Sequence, residues 1–173
     1  KMLRCTAKKY SVAVSFGYYE LCDEAIYSSY MFIGKNGEIV NNFRRVSKGW
    51  KEYDITDEHY KEGDGFKTFT YMGKRIALAV CGDLWYEENI EQINKEKFDF
   101  LLYPVYVTYN TEMWRTKLVN EYAEQAKKIP RPVFLVNSIC DADNTRGGCY
   151  AFLNGKTVCE VPMGQDGYLL VRV

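Results

Sequence analysis

The sequence predicts an α/β domain whose mixed sheets carry helices on the outside. Two observations support this fold class. Tight-turn dipeptides flanked by alternating apolar and polar residues predict strand hairpins near both ends of the chain, at Asn36-Gly37 and Asn154-Gly155. Between these hairpins, strands with nearly continuous apolar residues alternate with amphipathic helices, a pattern typical of sheets covered by helices.

The N-terminal part of the chain is predicted to contain one helix and three strands. Residues 1–9 carry cationic side chains near their end, as the last turns of a helix often do. Apolar and small residues then alternate, which indicates a half-buried strand. The turn Lys35-Asn36-Gly37 joins the next two strands, because Asn-Gly accepts the positive φ angles of a tight hairpin. The predicted strands are residues 10–19, 25–33 and 38–45.

The regular pattern stops at residues 46–65, where charged residues surround Trp50, Tyr53 and Tyr60. A loop of this length inside a compact domain is often functional, and an ordered surface excursion held by its aromatic residues is the alternative. A second hairpin follows, with strands at residues 66–71 and 75–80.

The second half of the chain contains strand-helix units. A short helix running to about residue 97 directs Ile90 and Ile93 inward, and a buried strand follows at residues 98–107. A longer helix capped near residue 110 ends before Pro130, and its apolar stripe is most simply core. The remaining predicted elements are a strand at 133–139, a polar loop at 141–148, a hairpin with strands at 149–153 and 157–161, and a final strand at 168–173.

Composition limits the function classes. The 173 residues suffice for one domain, residues 1–173, and 23 Lys and Arg balance 23 Asp and Glu, so no net charge attracts nucleic acid or a membrane surface. No apolar run approaches the roughly 18 residues of a spanning helix, and no signal peptide is visible, so we expect a cytoplasmic protein with reduced thiols. The six cysteines form no CxxC pair and His59 is the only histidine, so we expect no metal site and assign no cofactor.

The stretch 74–88 places Cys81 at a strand-to-helix corner. A buried strand ends at Cys81, Gly82 permits a sharp bend, and Asp83 is a good helix N-cap. Backbone N–H groups and the helix dipole at such a corner favour the thiolate, and the same amides would stabilise an oxyanion. The alternative is that Cys81 is a small buried apolar residue, as most free cysteines are. With one histidine in the chain, we expect the base of a nucleophilic Cys81 to be a lysine or a glutamate.

Five short motifs follow one another along nearly the whole chain. They are Gly37-Glu38-Ile39-Val40 with Phe43-Arg44-Arg45, Gly63-Asp64 with Phe66 and Phe69, Ala79-Val80-Cys81-Gly82-Asp83-Leu84-Trp85, Phe98-Asp99-Phe100-Leu101-Leu102-Tyr103-Pro104, and Gly147-Gly148 with Leu153-Asn154-Gly155-Lys156-Thr157-Val158. In this order the motifs resemble those of the carbon-nitrogen hydrolase family, known as the nitrilase superfamily.

In that family a cysteine attacks the carbon of an amide or nitrile, a glutamate acts as general base, and a lysine stabilises the tetrahedral intermediate. The resemblance implies a four-layer αββα sandwich that forms a homodimer, with Cys81 as the nucleophile and a thioester intermediate. It also implies that N-terminal strand-helix units, including the family's base glutamate, are missing before Lys1, so we expect a domain that is incomplete at its N-terminus.

Two positions depart from the family pattern. Arg45 occupies the position of the catalytic lysine and keeps the positive charge with a different donor geometry. A salt-bridged strand end is the alternative for Arg45, and Lys48 and Lys51 are other candidates for the cation. A second family glutamate is matched first by Glu58 and then by Glu62, and both are also consistent with solvated loop residues.

Aromatic residues flank the predicted nucleophile. Trp85 and Tyr86 follow the corner and Tyr106 ends the next strand, so these three rings are candidate substrate-binding residues lining an acyl pocket. Packing of a helix on a sheet is the structural alternative. The backbone amides of Arg146-Gly147-Gly148 are a further candidate for the site.

The sequence thus predicts a hydrolase that cleaves a non-peptide carbon-nitrogen bond of a small amide or N-carbamoyl compound through Cys81. One alternative is a truncated or catalytically decayed family member with a binding or assembly role. Another is a glutaminase module that supplies ammonia to a synthetase. The expected partner is a small-molecule amide, without nucleic-acid or membrane partners.

Overall fold

Two β-sheets with helices packed outside them organise the protein. A computed structural model describes residues 1–48, 58–141 and 144–173. Trp50, Lys51 and Tyr53, which the sequence analysis singled out, lie outside the described residues. The predicted α/β class with mixed sheets is confirmed, because both large sheets contain parallel and antiparallel strand pairs.

Helices and strands follow one another much as the sequence predicts. The described helices are α1 (Met2–Tyr10), a 3-10 turn at Cys81–Trp85, α2 (Glu87–Lys95), and α3 (Thr111–Met113), which continues through the π-helical segment Trp114–Leu118 into α4 (Val119–Lys127). The described strands are β1 (Val14–Cys22), β2 (Ala25–Ile33), β3 (Ile39–Arg44), β4 (Tyr60–Lys61), β5 (Phe69–Tyr71), β6 (Lys74–Leu78), β7 (Phe100–Val105), β8 (Val133–Asn137), β9 (Ile139–Cys140), β10 (Thr145–Arg146), β11 (Cys149–Leu153) and β12 (Lys156–Val161).

The two large sheets differ in their connections. Among the described residues, the first sheet has four strands in the order β1-β2-β3, with β4 joined in parallel to β2. The second has six strands in the order β12-β11-β8-β7-β6-β5, and its centre is parallel, with Leu78 paired to Leu102 and Leu101 paired to Val133. Because parallel strands end at the same edge of a sheet, the segment after β6 lies beside the end of β7.

Apolar side chains fill the space between the two sheets. Tyr30, Phe32 and Phe43 from the first sheet belong to the same buried clusters as Ile76 and Leu78 from the second. These clusters connect the strand that ends at Arg44 to the strand that precedes Cys81. The inter-sheet core therefore determines the distance between the two segments that carry the predicted nucleophile and cation.

Helices cover the outer faces of the sheets. The other face of the second sheet packs against α2 and α4 through Ile90, Ile93, Trp114, Tyr122 and Ala126, all of them buried. On the first sheet, α1 packs against β2. The order of layers is helix, sheet, sheet, helix, in agreement with the αββα sandwich that the resemblance implies.

Three differences between the predicted elements and the structure go beyond small shifts in strand bounds. The first strand begins at Val14 instead of residue 10, because α1 continues to Tyr10 and ends at Ser11 with a left-handed φ of 52°. The helix after residue 110 contains a π-helical segment starting at Trp114, whose buried Nε1 donates to the Tyr150 hydroxyl at 2.8 Å. The predicted strand at 168–173 is wrong: none of the described strands pairs with this segment, which has no regular secondary structure.

A charged network lies within the first sheet, on β1, β2 and β3. The Glu20 side chain, 14% exposed, accepts two hydrogen bonds from Arg44, at 2.7 and 3.0 Å. Ser29 Oγ and Asn42 Nδ2 also donate to it, at 2.7 and 3.0 Å. Chiefly through the Arg44 hydrogen bonds, the pKa of Glu20 falls from 4.5 to about 2.

Replacing Glu20 with glutamine should lower the free energy of unfolding by about 1–2 kcal/mol near neutral pH, since it removes a charge-assisted, partly screened pair. The pKa of Glu20 is lower in the folded protein than in the unfolded protein. The stabilisation is therefore present above pH 4.5 and is lost as the pH falls towards 2. Urea unfolding of the parent protein and of Glu20→Gln across this pH range should show that their free energies of unfolding become equal in acid. Glu24→Gln, a change of an exposed glutamate in the same hairpin, is the control. A constant difference across the range would contradict the assignment.

Candidate active site

The chain turns sharply at Cys81. Val80 is in the extended conformation, and Cys81 has a positive φ of 48°, a left-handed conformation that is uncommon for residues other than glycine. A single 3-10 turn, Cys81–Trp85, follows. Cys81 is half-buried and its thiol is free. For a residue other than glycine this backbone conformation costs conformational free energy of order 1–3 kcal/mol, and such residues cluster at functional sites. The conformation of Cys81 is therefore consistent with a functional site at this corner.

Asp83 does not act as the N-cap that the sequence predicts. Helix α2 begins at Glu87, with Tyr86 as its N-cap residue. The fully buried Asp83 carboxylate instead accepts the N–H of Val80 at 2.8 Å, and it accepts two further N–H groups from the segment after β3. Burial raises the pKa of Asp83, while the hydrogen bonds from the Val80 and Ser47 backbones oppose this shift.

Arg45 lies against the Cys81 corner. Its Nε donates to Ser47 Oγ at 2.7 Å, and Nη2 donates to the Lys48 carbonyl at 3.5 Å. A Cβ added to Gly82 would collide with Arg45 Nη2, so the guanidinium covers the residue next to Cys81. Within the described part of the chain, no ion pair joins Arg45 to a carboxylate.

Aromatic residues that the sequence analysis did not assign to the site surround the corner on the helix side. The Tyr103 hydroxyl donates to the Cys81 carbonyl. The Tyr122 ring lies 6.2 Å from the Tyr103 ring and 5.1 Å from the Trp85 ring, measured between centroids. Burial raises the pKa of Tyr103 and of Tyr122, and proximity to Cys81 contributes to both shifts. Both phenols therefore stay protonated and act as neutral hydrogen-bonding groups near Cys81.

The parallel pairing of β6 and β7 brings Tyr103 to the corner. From the sequence pattern of β7, Tyr103 is indistinguishable from any other core residue of the strand. In the structure its side chain is indeed almost completely buried. The only sequence signal was its place in the strand that follows the predicted nucleophile.

Two predicted substrate-binding residues lie at or next to the turn, and the third lies just after β7. Trp85, 42% exposed, packs edge-on against Tyr122. Tyr86, 38% exposed, donates its hydroxyl to the Lys48 carbonyl at 3.4 Å. Tyr106 is 47% exposed and follows the end of β7. All three rings retain accessible surface in the described structure.

The predicted glutamates occupy the loop that precedes β5. Glu58 is exposed and makes no hydrogen bond or ion pair within the described residues. Glu62 is half-buried and precedes Gly63, whose N–H donates to the Arg45 carbonyl at 2.8 Å. The backbone next to Glu62 is therefore in contact with the Arg45 backbone.

Of the three amides predicted near the site at residues 146–148, the Gly147 amide has another partner. The Gly147 N–H donates to the Ser138 carbonyl at 2.9 Å, so it is not free to stabilise an oxyanion. Its carbonyl accepts from the buried side chain of Asn137 at 3.1 Å, and that amide also bonds both backbone groups of Val107. The Asn137 side chain thus connects Val107, in the segment after β7, to Gly147 by hydrogen bonds. The sequence analysis did not predict this role.

The described residues contain no cluster of three or more His, Cys, Asp or Glu side chains arranged to hold a metal ion. In the same part of the chain, every helix is too short or too polar to cross a bilayer. What the corner presents is a free thiol, a guanidinium and a set of hydroxyl-bearing rings. This combination is suited to nucleophilic attack on a carbonyl carbon, with the cation placed to stabilise negative charge on oxygen.

A family model and several known proteins match the chain. A family model described as carbon-nitrogen hydrolase matches residues 1–173. The chain is 24% identical over 109 residues to a citrullinase of Francisella tularensis, covering 60% of this chain and 37% of that protein. It is 26% identical over 103 residues to an N-carbamoylputrescine amidase of Solanum lycopersicum, covering 57% and 33%.

Solved structures share the fold. A carbon-nitrogen hydrolase from Helicobacter pylori G27 superposes with a TM-score of 0.75 at 17% identity, over 92% of this chain and 61% of that one. An amidase from Nesterenkonia sp. AN1 gives 0.74 at 15% identity, over 94% and 61%, and its structure shows the acetamide moiety of fluoroacetamide added covalently at the active-site cysteine. The chain spans less than two thirds of the length of each of these four proteins.

Proposed function

The chain belongs to the carbon-nitrogen hydrolase family, the nitrilase superfamily, and from this premise we propose that the protein hydrolyses a non-peptide carbon-nitrogen bond of a small amide or N-carbamoyl compound. In this proposal Cys81 is the nucleophile and Arg45 is the cation that stabilises the intermediate. The observation that carries the proposal is the position of the Arg45 guanidinium against Gly82, at the strained corner that presents Cys81.

The chemical steps follow from this geometry. The Cys81 thiol loses its proton to a base, and its sulfur attacks the carbonyl carbon of the substrate. Negative charge then develops on the carbonyl oxygen, and in this proposal the Arg45 guanidinium stabilises it. The carbon-nitrogen bond breaks, the nitrogen leaves with a proton, and a thioester on Cys81 remains. Water then hydrolyses the thioester and regenerates the thiol.

We assign the general base to a glutamate, because the chain has a single histidine and carboxylates are abundant in the preceding loop. Glu58 and then Glu62 match the second glutamate of the family pattern, not its base, and they are the candidates that the described part of the loop offers. The hydrogen bond from Gly63 to the Arg45 carbonyl supports Glu62 as a residue beside the cation-bearing segment.

The rings at the corner support an uncharged acyl group in the substrate. Trp85, Tyr86 and Tyr106 are the proposed binding residues, and the Trp85 ring packs against the Tyr122 ring, which lies next to Tyr103. Two relatives are named for a ureido or N-carbamoyl compound, which supports the N-carbamoyl class as the first to test.

Ammonia release should test the activity directly. We expect the full-length protein to release ammonia from simple aliphatic amides or N-carbamoyl amines, and mass spectrometry of quenched reactions should find an acyl group on Cys81. Alkylation of Cys81 before the assay should remove both signals. Turnover that persists after complete alkylation, or an acyl group on another cysteine, would contradict the proposal. Glutamine as the sole productive substrate would favour the glutaminase alternative.

A family member without activity is the second candidate function, favoured by one observation. Arginine occupies the position at which the family has its catalytic lysine. A full-length protein that binds amides without releasing ammonia or forming a thioester would support a binding or assembly role. The homodimer, the cytoplasmic location, the single-domain organisation and the lack of nucleic-acid partners stay predictions.

A further inference from the structure

The Asp83 carboxylate connects two segments that are distant in the sequence. Asp83 Oδ2 accepts the Val80 N–H within its own turn at 2.8 Å. Asp83 Oδ1 accepts the N–H of Ser47 at 2.7 Å and of Val46 at 3.1 Å, both from the segment that follows β3. Two of its three backbone hydrogen bonds therefore cross from the turn that presents Cys81 to the segment that carries Arg45.

The connection continues to the guanidinium through Ser47. The buried Ser47 hydroxyl accepts a hydrogen bond from Arg45 Nε at 2.7 Å. Ser47 therefore bonds Asp83 through its backbone N–H and Arg45 through its side chain, so one residue joins the carboxylate to the guanidinium. The positive charge of Arg45 also acts to lower the pKa of Asp83, against the larger effect of burial.

We propose that Asp83 is a positioning residue that holds the Arg45 guanidinium beside Cys81. This inference rests on the proposed function, in which the Arg45 guanidinium beside Cys81 stabilises the reaction intermediate. A carboxylate that served only to close the 3-10 turn would need the Val80 bond alone. The bonds to Val46 and Ser47 instead fix the end of the Arg45 segment against the corner, and the Ser47 hydroxyl orients the guanidinium towards Gly82.

An asparagine at this position is the direct test. Asparagine keeps one acceptor oxygen and turns the other into a donor, so Asp83→Asn loses either the Val80 bond or both crossing bonds, and it removes the negative charge in both orientations. We expect kcat to fall by about 10- to 100-fold with a smaller change in KM, because a misplaced cation weakens stabilisation of the intermediate more than substrate binding. Asp99→Asn is the matched control: Asp99 is an exposed aspartate that accepts the Arg75 N–H at 2.8 Å, at the opposite end of β6.

A double-mutant cycle separates positioning from general destabilisation. If Asp83 acts through Arg45, Asp83→Asn should lower kcat by less than about 3-fold when Arg45 is already methionine, since the two effects then share one cause. Equal losses in both backgrounds would overturn the proposal. Ser47→Ala provides a milder variant in case Asp83→Asn does not fold, because it keeps the backbone bonds to Asp83 and removes the link to Arg45. A folded Ser47→Ala protein with unchanged kcat would also overturn it.

Hydrogen exchange tests the same inference without turnover. Asp83→Ala removes both acceptor oxygens, so the Val46 and Ser47 amides should exchange at least about 10-fold faster in this variant than in the parent protein, whereas Asp99→Ala should leave them unchanged. If the parent protein hydrolyses no amide, the proposed function fails while this measurement still decides whether Asp83 holds the Arg45 segment. Unchanged protection of both amides would overturn the proposal.

Discussion

Replacement of Cys81 with alanine should reduce amide hydrolysis by at least about 10³-fold, because the alanine side chain cannot form the thioester on which both halves of the reaction depend. The measurement is ammonia release by the full-length protein under saturating substrate. The fold should survive the change, since Cys81 is half-buried and alanine is smaller. Circular dichroism and thermal unfolding of the variant should therefore match the parent protein closely.

Cys149→Ala is the matched control for this loss. Cys149 is also a half-buried free cysteine, and it lies in β11, a different strand from the one that leads to Cys81. We expect its removal to leave hydrolysis within about 2-fold of the parent, as expected for a thiol outside the mechanism. A substoichiometric thiol reagent should also label Cys81 ahead of the other five cysteines. Equal labelling of all six, or full activity in Cys81→Ala, would exclude Cys81 as the nucleophile.

Replacement of Arg45 with methionine should lower kcat by about 10²- to 10³-fold, the usual loss when one group that stabilises an oxyanion is removed. Methionine keeps much of the side-chain length and packing but carries no charge. Arg45→Lys should retain more of the rate, because it restores the cation and the residue type of the family. Steady-state kinetics that separate kcat from KM would measure both effects.

Arg75→Met and Gly82→Ala complete the test of Arg45. Arg75 is an exposed arginine that donates to the Lys97 carbonyl at 3.5 Å. Arg75→Met therefore makes the same change in charge and size as Arg45→Met, but far from Cys81. The activity of Arg75→Met should stay near that of the parent protein. Gly82→Ala keeps every charged group but inserts a methyl where Arg45 Nη2 lies, so kcat should fall through displacement alone. Full activity in Arg45→Met would show that the cation is supplied elsewhere, with Lys48 as the next candidate.

Local sequence signals predicted most of the elements that carry the site. The hairpin strand Ala25–Ile33 and the strand Cys149–Leu153 have the predicted bounds, because period-two patterning and Asn-Gly turns act over a few residues. The strand, glycine and polar residue around Cys81 likewise predicted a sharp corner. The roles of the predicted site residues stay predictions until they are measured.

Interactions between distant segments account for the misses. Asp83 was predicted to cap its own helix, yet its carboxylate turns to Val46 and Ser47, which lie more than thirty residues earlier. The segment at 168–173 has a strand-like composition but no strand beside it in the described structure. In both cases the outcome depends on a partner that local propensity does not specify.

The order of residues alone determined where the chain bends, which side chains are apolar enough to form two sheets, and that Cys81 stands at a sharp corner after a buried strand. These properties depend on turn chemistry and side-chain period, which act over a few neighbouring positions. Only the tertiary structure decided that Arg45 lies over Gly82, that Tyr103 bonds the Cys81 carbonyl, and that Asp83 joins the two segments. Those contacts arise from sheet register and inter-sheet packing, in which each position is set by residues far away along the chain.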